Sequence, residues 1–447
     1  MSFRKYFQLL FFLLLNATAL YSQDRAYAKK VIDTLASPSM HGRGYVANGD
    51  KIAANYISDQ FKSFGLTSFN ISGTYFQKFN FPINTFPGKV EMTFYWNDKG
   101  KDVGQFEKCK PGEHFLVHSD SPSVKGHFSV VVLDSSVVYD EVKFANFKKR
   151  NLKKSFVMVD TSGVHTQIEL AFLNNFSKYP LGVKGILIPI KPTSMTSSCS
   201  RLTPWDFSMR QSTIPVIEIE YAYKNVTAID LNIGAKFFKN YSSQNVLGYI
   251  KGKENPDSFI VFTAHYDHLG QMGKTVYFPG ANDNASGIAM LLSLAKYYSQ
   301  AEHQPKCSIV FMAFGGEEVG LLGSQFYTTH PLFPMNRIKF LINMDILGTG
   351  EEGIMVVNGT IFDSQFKTLQ KINSDRNYLV AVKPRGKAAI SDHYFFTEYK
   401  VPSFYIYTLG GIKAYHDTCD RRETLPLTKF ENLFSLLRDF TNWEDSL

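Results

Sequence analysis

The stretch SFIVFTAHYDHLG, residues 258–270, decides the fold. Ser258 to Ala264 is a short, largely apolar run, the pattern of a strand buried on both faces. His265, Tyr266 and Asp267 follow it at once. Downstream the same alternation of strand and helix continues. Ala285 to Tyr298 reads as a helix, with Ile288, Leu291, Leu292 and Ala295 on one face. Ser308–Ala313, Ile338–Ile342 and Ser403–Tyr407 read as further strands. Leu321–Tyr327, Phe362–Ile372 and Leu427–Phe440 read as helices. Apolar strands alternating with helices predict an α/β domain, a largely buried, mostly parallel sheet in three layers. Ligands of such sheets bind beyond the carboxyl ends of the strands.

Upstream the pattern changes. Residues 27–65 carry helical spacing, interrupted by the loop His41-Gly42-Arg43-Gly44, and residues 74–96 alternate like strands. Between about 113 and 240 short β-type runs dominate, punctuated by Gly, Pro and Ser, which predicts a separate, mostly β insert. The expected organisation is a signal peptide over 1–23, the first part of the α/β domain over 24–112, the insert over 113–240 and the main part of the α/β domain over 241–447. Arg4 and Lys5, the apolar run Leu9–Leu15 and a small, polar stretch from Ala17 to Gln23 form the signal peptide, so the expected compartment is the periplasm or the cell exterior. No later stretch reaches 18 uninterrupted apolar residues, and no stable membrane insertion is expected after cleavage.

The 447 residues include 48 Lys and Arg against 40 Asp and Glu, a formal charge of +8. This excess is dispersed, without the basic stripe that nucleic acid requires. Four cysteines, Cys109, Cys199, Cys307 and Cys419, show no CxxC spacing, which argues against a thiolate zinc site and allows up to two disulfides in an exported protein. Cys307 reads equally well as a buried free thiol. Of the sequons, Asn284-Ala285-Ser286 falls among candidate site residues, where a glycan would obstruct the site, and this favours a non-glycosylating source.

Histidines and carboxylates gather at the predicted strand ends: His265 and Asp267; Asp283 in GANDNASG; Glu317 and Glu318; Asp345; His416. Unpaired charges crowded beside an apolar sheet repel, and a divalent metal removes that cost. Nitrogen and oxygen donors without thiolate suit zinc, with manganese or cobalt as alternatives. The count suits two ions. Asp283 bridges them, Glu318 and His416 complete one, and His265 and Asp345 complete the other, leaving room for a shared water. Asp267 is placed to accept the second N–H of the His265 ring. Glu317 is the natural general base. Tyr415 could donate to an oxyanion. Asp392 and His393 read as a polar pair supporting the ligands from behind.

The segments AHYDHLG, GANDNASG, FGGEEVGLLGS, NMDILG, SDHYFF and YHDTCD, in this order, resemble the co-catalytic di-zinc aminopeptidase family, which includes bacterial leucyl-type aminopeptidases and glutamate-carboxypeptidase-like enzymes. The resemblance implies a fold of the zinc-peptidase type, two zinc ions on His265, Asp283, Glu318, Asp345 and His416, and Glu317 as base. It implies that Asp267 orients His265 and that Tyr415 assists the oxyanion. The pieces SFVMVD, GVKGILIP and TIPVIEIE resemble the protease-associated domain that many members carry as an insert. Asp417-Thr418-Cys419-Asp420 departs from the Pro or Ser that often follows the last histidine, at the rim of the pocket. The implied function is removal of amino-terminal residues from peptides, with a carboxypeptidase or dipeptidase and a glutaminyl cyclase-like acyltransferase as alternatives. The motifs do not fix the preferred side chain or the oligomeric state.

Overall fold

A computed structural model describes residues 25–96, 105–138, 140–160, 182–191, 193–196, 199–201 and 206–447. The expected signal peptide lies outside them. Two eight-stranded sheets organise the chain. In the first, the order is Phe76–Thr85, Lys236–Ile250, Cys307–Phe314, Asn255–His265, Ile338–Met344, Ser403–Thr408, Ile354–Val357 and Val382–Arg385. The four central strands, from Cys307–Phe314 to Ser403–Thr408, run parallel. Antiparallel neighbours flank them on both sides. The expected parallel sheet is therefore the centre of a mixed one.

The central strands are apolar because both faces are covered. All eight residues of Cys307–Phe314 are buried. Successive side chains leave a strand on opposite faces. Phe262 and Ala264 accordingly join one core, with Ile288, Leu291 and Leu292 of the helix Ser286–Tyr298 and Leu433 and Leu437 of the helix Phe430–Ser446. Phe259 and Val261 join the other, with Tyr327, Phe333 and Phe396. Burying a side chain of this size stabilises the fold by about 1.5–3 kcal/mol, so these strands cannot slip register cheaply. The helices over 25–35 and Gly49–Ser63 pack on the first of these cores. The strand Phe76–Thr85 pairs with Lys236–Ile250 and ties the chain's beginning to the sheet.

The second sheet has the order Gln105–Cys109, Val90–Trp96, Ala228–Ile233, Val124–Asp134, Ser155–Asp160, Gly185–Ile190, Val216–Glu220 and Phe115–Val117. Its first strand in chain order is Val90–Trp96, which pairs with Ala228–Ile233. Val90–Trp96 alternates as Phe76–Thr85 does, and the two strands nevertheless enter different sheets. Period-two patterning shows a strand, not its partner. One core of this sheet includes Leu269, Met272 and Phe278, which belong to the loop that follows the His265 motif. Cys109 and Cys307 are buried free thiols, whereas Cys419 is disulfide-bonded. Among the described residues no helix is long and apolar enough to cross a membrane.

Candidate metal centre

The parallel strands deliver the centre. His265 is the last residue of its strand, Asp345 follows Met344 directly, and Glu317 and Glu318 come just after Phe314. Asp283 lies in the turn Ala281–Ala285 that opens the helix Ser286–Tyr298. His416 comes from the loop after Ser403–Thr408 and has a left-handed backbone, with φ of 52°. Six residues spread over about 150 residues of sequence thus meet at one end of the sheet.

The donors form two sets that share Asp283. His265 Nε2 lies 3.3 Å from Asp283 Oδ1 and 3.2 Å from Asp345 Oδ1. His416 Nε2 lies 3.3 Å from Asp283 Oδ2 and 3.0 Å from Glu318 Oε2. A tetrahedral ion with ligands at about 2.0–2.1 Å separates its donors by about 3.3 Å. The histidine–carboxylate separations in both sets are close to that edge, and the two oxygens of Asp283 face different histidines. The donors are the hard and borderline atoms that zinc accepts. The residues present therefore fit divalent metal: His265, Asp345 and Asp283 would hold one ion, and His416, Glu318 and Asp283 would hold another. Glu317 offers a carboxylate oxygen within 4.8 Å of donor atoms of His265 and Glu318.

The electrostatics agree. Burial lowers the pKa of the His265 imidazole, but Asp345 and Glu317, with hydrogen bonds to Asp283 and Asp345, carry it well above the ordinary value. His416 is likewise drawn down by burial and then raised to about 11, chiefly by Glu318. The cluster thus demands positive charge, which a divalent ion supplies in place of protons. Glu317 is held well above the usual carboxylate range, first by burial and then by neighbouring Glu318, Asp392 and Asp345, against the pull of His265.

Asp267 differs from the expectation. The Nδ1 of His265 lies 3.2 Å from the backbone carbonyl of Asp267 and 3.8 Å from its carboxylate. The carboxylate instead accepts from the Tyr45 hydroxyl at 2.9 Å and from the backbone N–H groups of Glu317 and Glu318 at 3.2 and 3.4 Å. It therefore positions the Glu317–Glu318 turn, and the ring is oriented by the peptide. The polar pair also differs. Ser391, not Asp392 or His393, hydrogen-bonds Asp345, at 3.1 Å. Burial pushes the Asp392 carboxyl up to about 7. The His393 ring packs on Tyr405, and burial holds it down to about 3, so it stays neutral. Tyr415 is 44% exposed and stacks on His416 with ring centroids 4.0 Å apart.

Several supports were not foreseen. Arg43 is fully buried and gives all five of its N–H groups to backbone carbonyls. Nε reaches Tyr266, Nη1 reaches Leu35 and Pro279, and Nη2 reaches Gly280 and Asp283, at 2.7–3.2 Å. It joins the first helix, the His265 motif and the Asp283 turn. Its loop lies hard against the motif, since a Cβ on Gly44 would meet Gly270 Cα at 2.4 Å. Asp420 accepts the backbone N–H groups of Asn282 and Asp283 at 2.8 and 2.9 Å. Asn284 is buried. Its amide donates to Met344 O, and its carbonyl accepts from the N–H groups of Gly287 and Ile346. His268 lies with its Nδ1 2.6 Å from Glu318 Oε1. Its place beside Asp267 in the quoted motif was the only sequence signal for it. An arginine whose partners are peptide carbonyls leaves none.

The fold is that of zinc aminopeptidases of known structure. It superposes on a zinc aminopeptidase from Bacillus subtilis with a TM-score of 0.62 and 20% identity, over 93% of this chain and 94% of that one. The Peptidase M28 precursor from Shewanella amazonensis SB2B gives 0.64 and 14%, over 96% of both chains. By sequence, Aminopeptidase YwaD of Bacillus subtilis (strain 168) is 38% identical over 120 residues, 26% of this chain and 24% of that protein. The chain thus matches about a quarter of the length of its curated relatives. Residues 245–441 match the family model of Peptidase family M28, a span that holds every residue expected to bind metal and the expected base Glu317. This part of the chain is thus similar to peptidase family M28.

Proposed function

We propose that the protein is a zinc aminopeptidase that removes amino-terminal residues from peptides with two bound ions. The observation that carries this reading is the division of the Asp283 oxygens between a His265–Asp345 set and a His416–Glu318 set. Two ions held by these residues would polarise a scissile carbonyl and acidify water. Glu317 takes the proton of the attacking water on its carboxylate and returns it to the departing amine nitrogen, so the base is regenerated in each turnover. Its raised pKa suits that alternation between carboxylate and acid. Asp267 holds the Glu317–Glu318 turn still through two backbone hydrogen bonds. The Tyr415 phenol, partly exposed beside His416, donates to the developing oxyanion.

The second sheet acts as a protease-associated insert that borders the approach to the centre. This is supported by a cleft whose walls include Gly112 and Glu113 from the insert and Tyr277, Thr418 and Arg421 from the catalytic part. Export is supported by the amino-terminal apolar run. The test is a panel of peptides with free and blocked amino termini. Sequential release of residues from free termini alone is expected. Cleavage of blocked peptides at the carboxyl end would transfer the reading to a carboxypeptidase, and amino-terminal sequencing of the mature protein tests export.

A further inference from the structure

We propose that His268 is a positioning residue that makes Glu318 a one-oxygen ligand and so sets the affinity of the His416-side ion. The inference rests on the two-ion reading above and goes beyond its ligands and base. The carboxylate of Glu318 is shared between two rings. Oε1 faces His268 Nδ1 at 2.6 Å, and Oε2 faces His416 Nε2 at 3.0 Å. A separation of 2.6 Å is too short for two donors on one tetrahedral ion, whose edge is about 3.3 Å. It is the separation of a short, charge-assisted hydrogen bond. His268 therefore binds the ligand and not the metal, although it stands close enough to Asp283 and Glu318 to be grouped with them.

The ring has one useful orientation. It is completely buried, and its Nε2 has no hydrogen-bond partner among the described residues. A proton on Nε2 alone would leave that N–H unpaired and would set the Nδ1 lone pair against a carboxylate oxygen. The arrangement requires Nδ1–H donating to Glu318. The Gly280 backbone fixes the ring's position, since a Cβ there would lie 2.4 Å from His268 Cδ2. The His416 ring crosses it nearly edge-on at 5.9 Å. With Oε1 occupied by His268, only Oε2 points toward the set formed by His416 and Asp283. Removing the donor frees Glu318 to rotate or to present both oxygens. The His265–Asp345 set shares no atom with this bond.

The test is zinc titration of the metal-free full chain against a chromophoric chelator, with cobalt absorption spectra of the reloaded protein as a second readout. His268→Asn keeps an N–H near the position of Nδ1, whereas His268→Gln and His268→Leu do not, and circular dichroism checks that each variant is folded. Loss of an orienting partner typically costs 10–100-fold in metal affinity. We expect the Gln and Leu variants to bind one ion as wild type does and the other 10–100-fold more weakly, with an altered cobalt spectrum. The Asn variant should stay within about 3-fold. Wild type with two ions, and Gln and Leu variants that hold both equally well, would overturn the proposal alone. A wild type that takes up fewer than two ions would overturn the two-ion reading and this proposal with it.

Discussion

Replacing Arg43 with lysine keeps the charge and removes the fork, and the structure gives the size of the effect. Five carbonyls, those of Tyr266, Leu35, Pro279, Gly280 and Asp283, receive the five guanidinium N–H groups. An ammonium has three protons, so at least two of these carbonyls lose their donor. Each buried polar group left unpaired costs about 1–3 kcal/mol, so Arg43→Lys should destabilise the protein by about 2–6 kcal/mol. That is a large share of a typical stability of about 5–15 kcal/mol. Burial already lowers the pKa of this guanidinium to about 10, against the pull of Asp283, Asp420, Asp267 and Glu318. An ammonium in the same place would be harder still to keep charged. The assay is urea unfolding of the metal-free protein, repeated with zinc. Because one lost partner is the Asp283 peptide, the substitution should also reduce the stabilisation that zinc adds. A loss below about 1 kcal/mol, or an undiminished zinc increment, would refute the reasoning that Arg43 holds the Asp283 turn through directed bonds.

Glu317→Gln should lower kcat by about 10²–10⁴-fold while zinc content, measured by atomic absorption, stays at the wild-type value, because Glu317 is not required by either donor set. Zinc should raise the thermal midpoint of the metal-free protein, each site adding about 4 kcal/mol at a thousandfold excess over its dissociation constant; an unchanged midpoint would remove the metal centre. Glu444, buried in the closing helix, has its carboxyl pushed up to about 7 by burial, against the pull of Lys339. A carboxyl raised on folding favours the folded state below its unfolded pKa and loses that contribution as pH rises through the folded value. Glu444→Gln should therefore become more stable relative to wild type between pH 4.5 and 7, read as a shift in the urea midpoint.

The legible and illegible parts of the molecule divide along physical lines. The central strands announced themselves because burial on both faces demands continuous apolar runs such as Ser308–Ala313, and these fall inside Cys307–Phe314. The donors His265, Asp283, Glu318, Asp345 and His416 could be singled out because charge at the ends of apolar strands needs a partner. The supporting bonds were not legible in the same way. Asp267 was assigned to the His265 ring, yet its carboxylate serves the peptides of Glu317 and Glu318, since bonds to backbone have no sequence signature. His268 stood in plain view, but only the distance to Glu318 Oε1 distinguishes it from a neutral core residue. The start of the second sheet at Val90 was hidden because alternation cannot tell which edge a strand will join.

The buried carboxamide of Asn284 has a consequence for how the protein can be made. In a eukaryotic secretory host the sequon Asn284-Ala285-Ser286 is met as an extended chain, before the amide has found Met344 or the N–H groups of Gly287 and Ile346. A sugar attached at that moment replaces one amide hydrogen with a bulky chain at a position that has no exposed surface. Material produced there would divide into a glycosylated fraction barred from completing the Asp283 turn and an unmodified fraction able to fold, so a bacterial host is the appropriate source of intact protein.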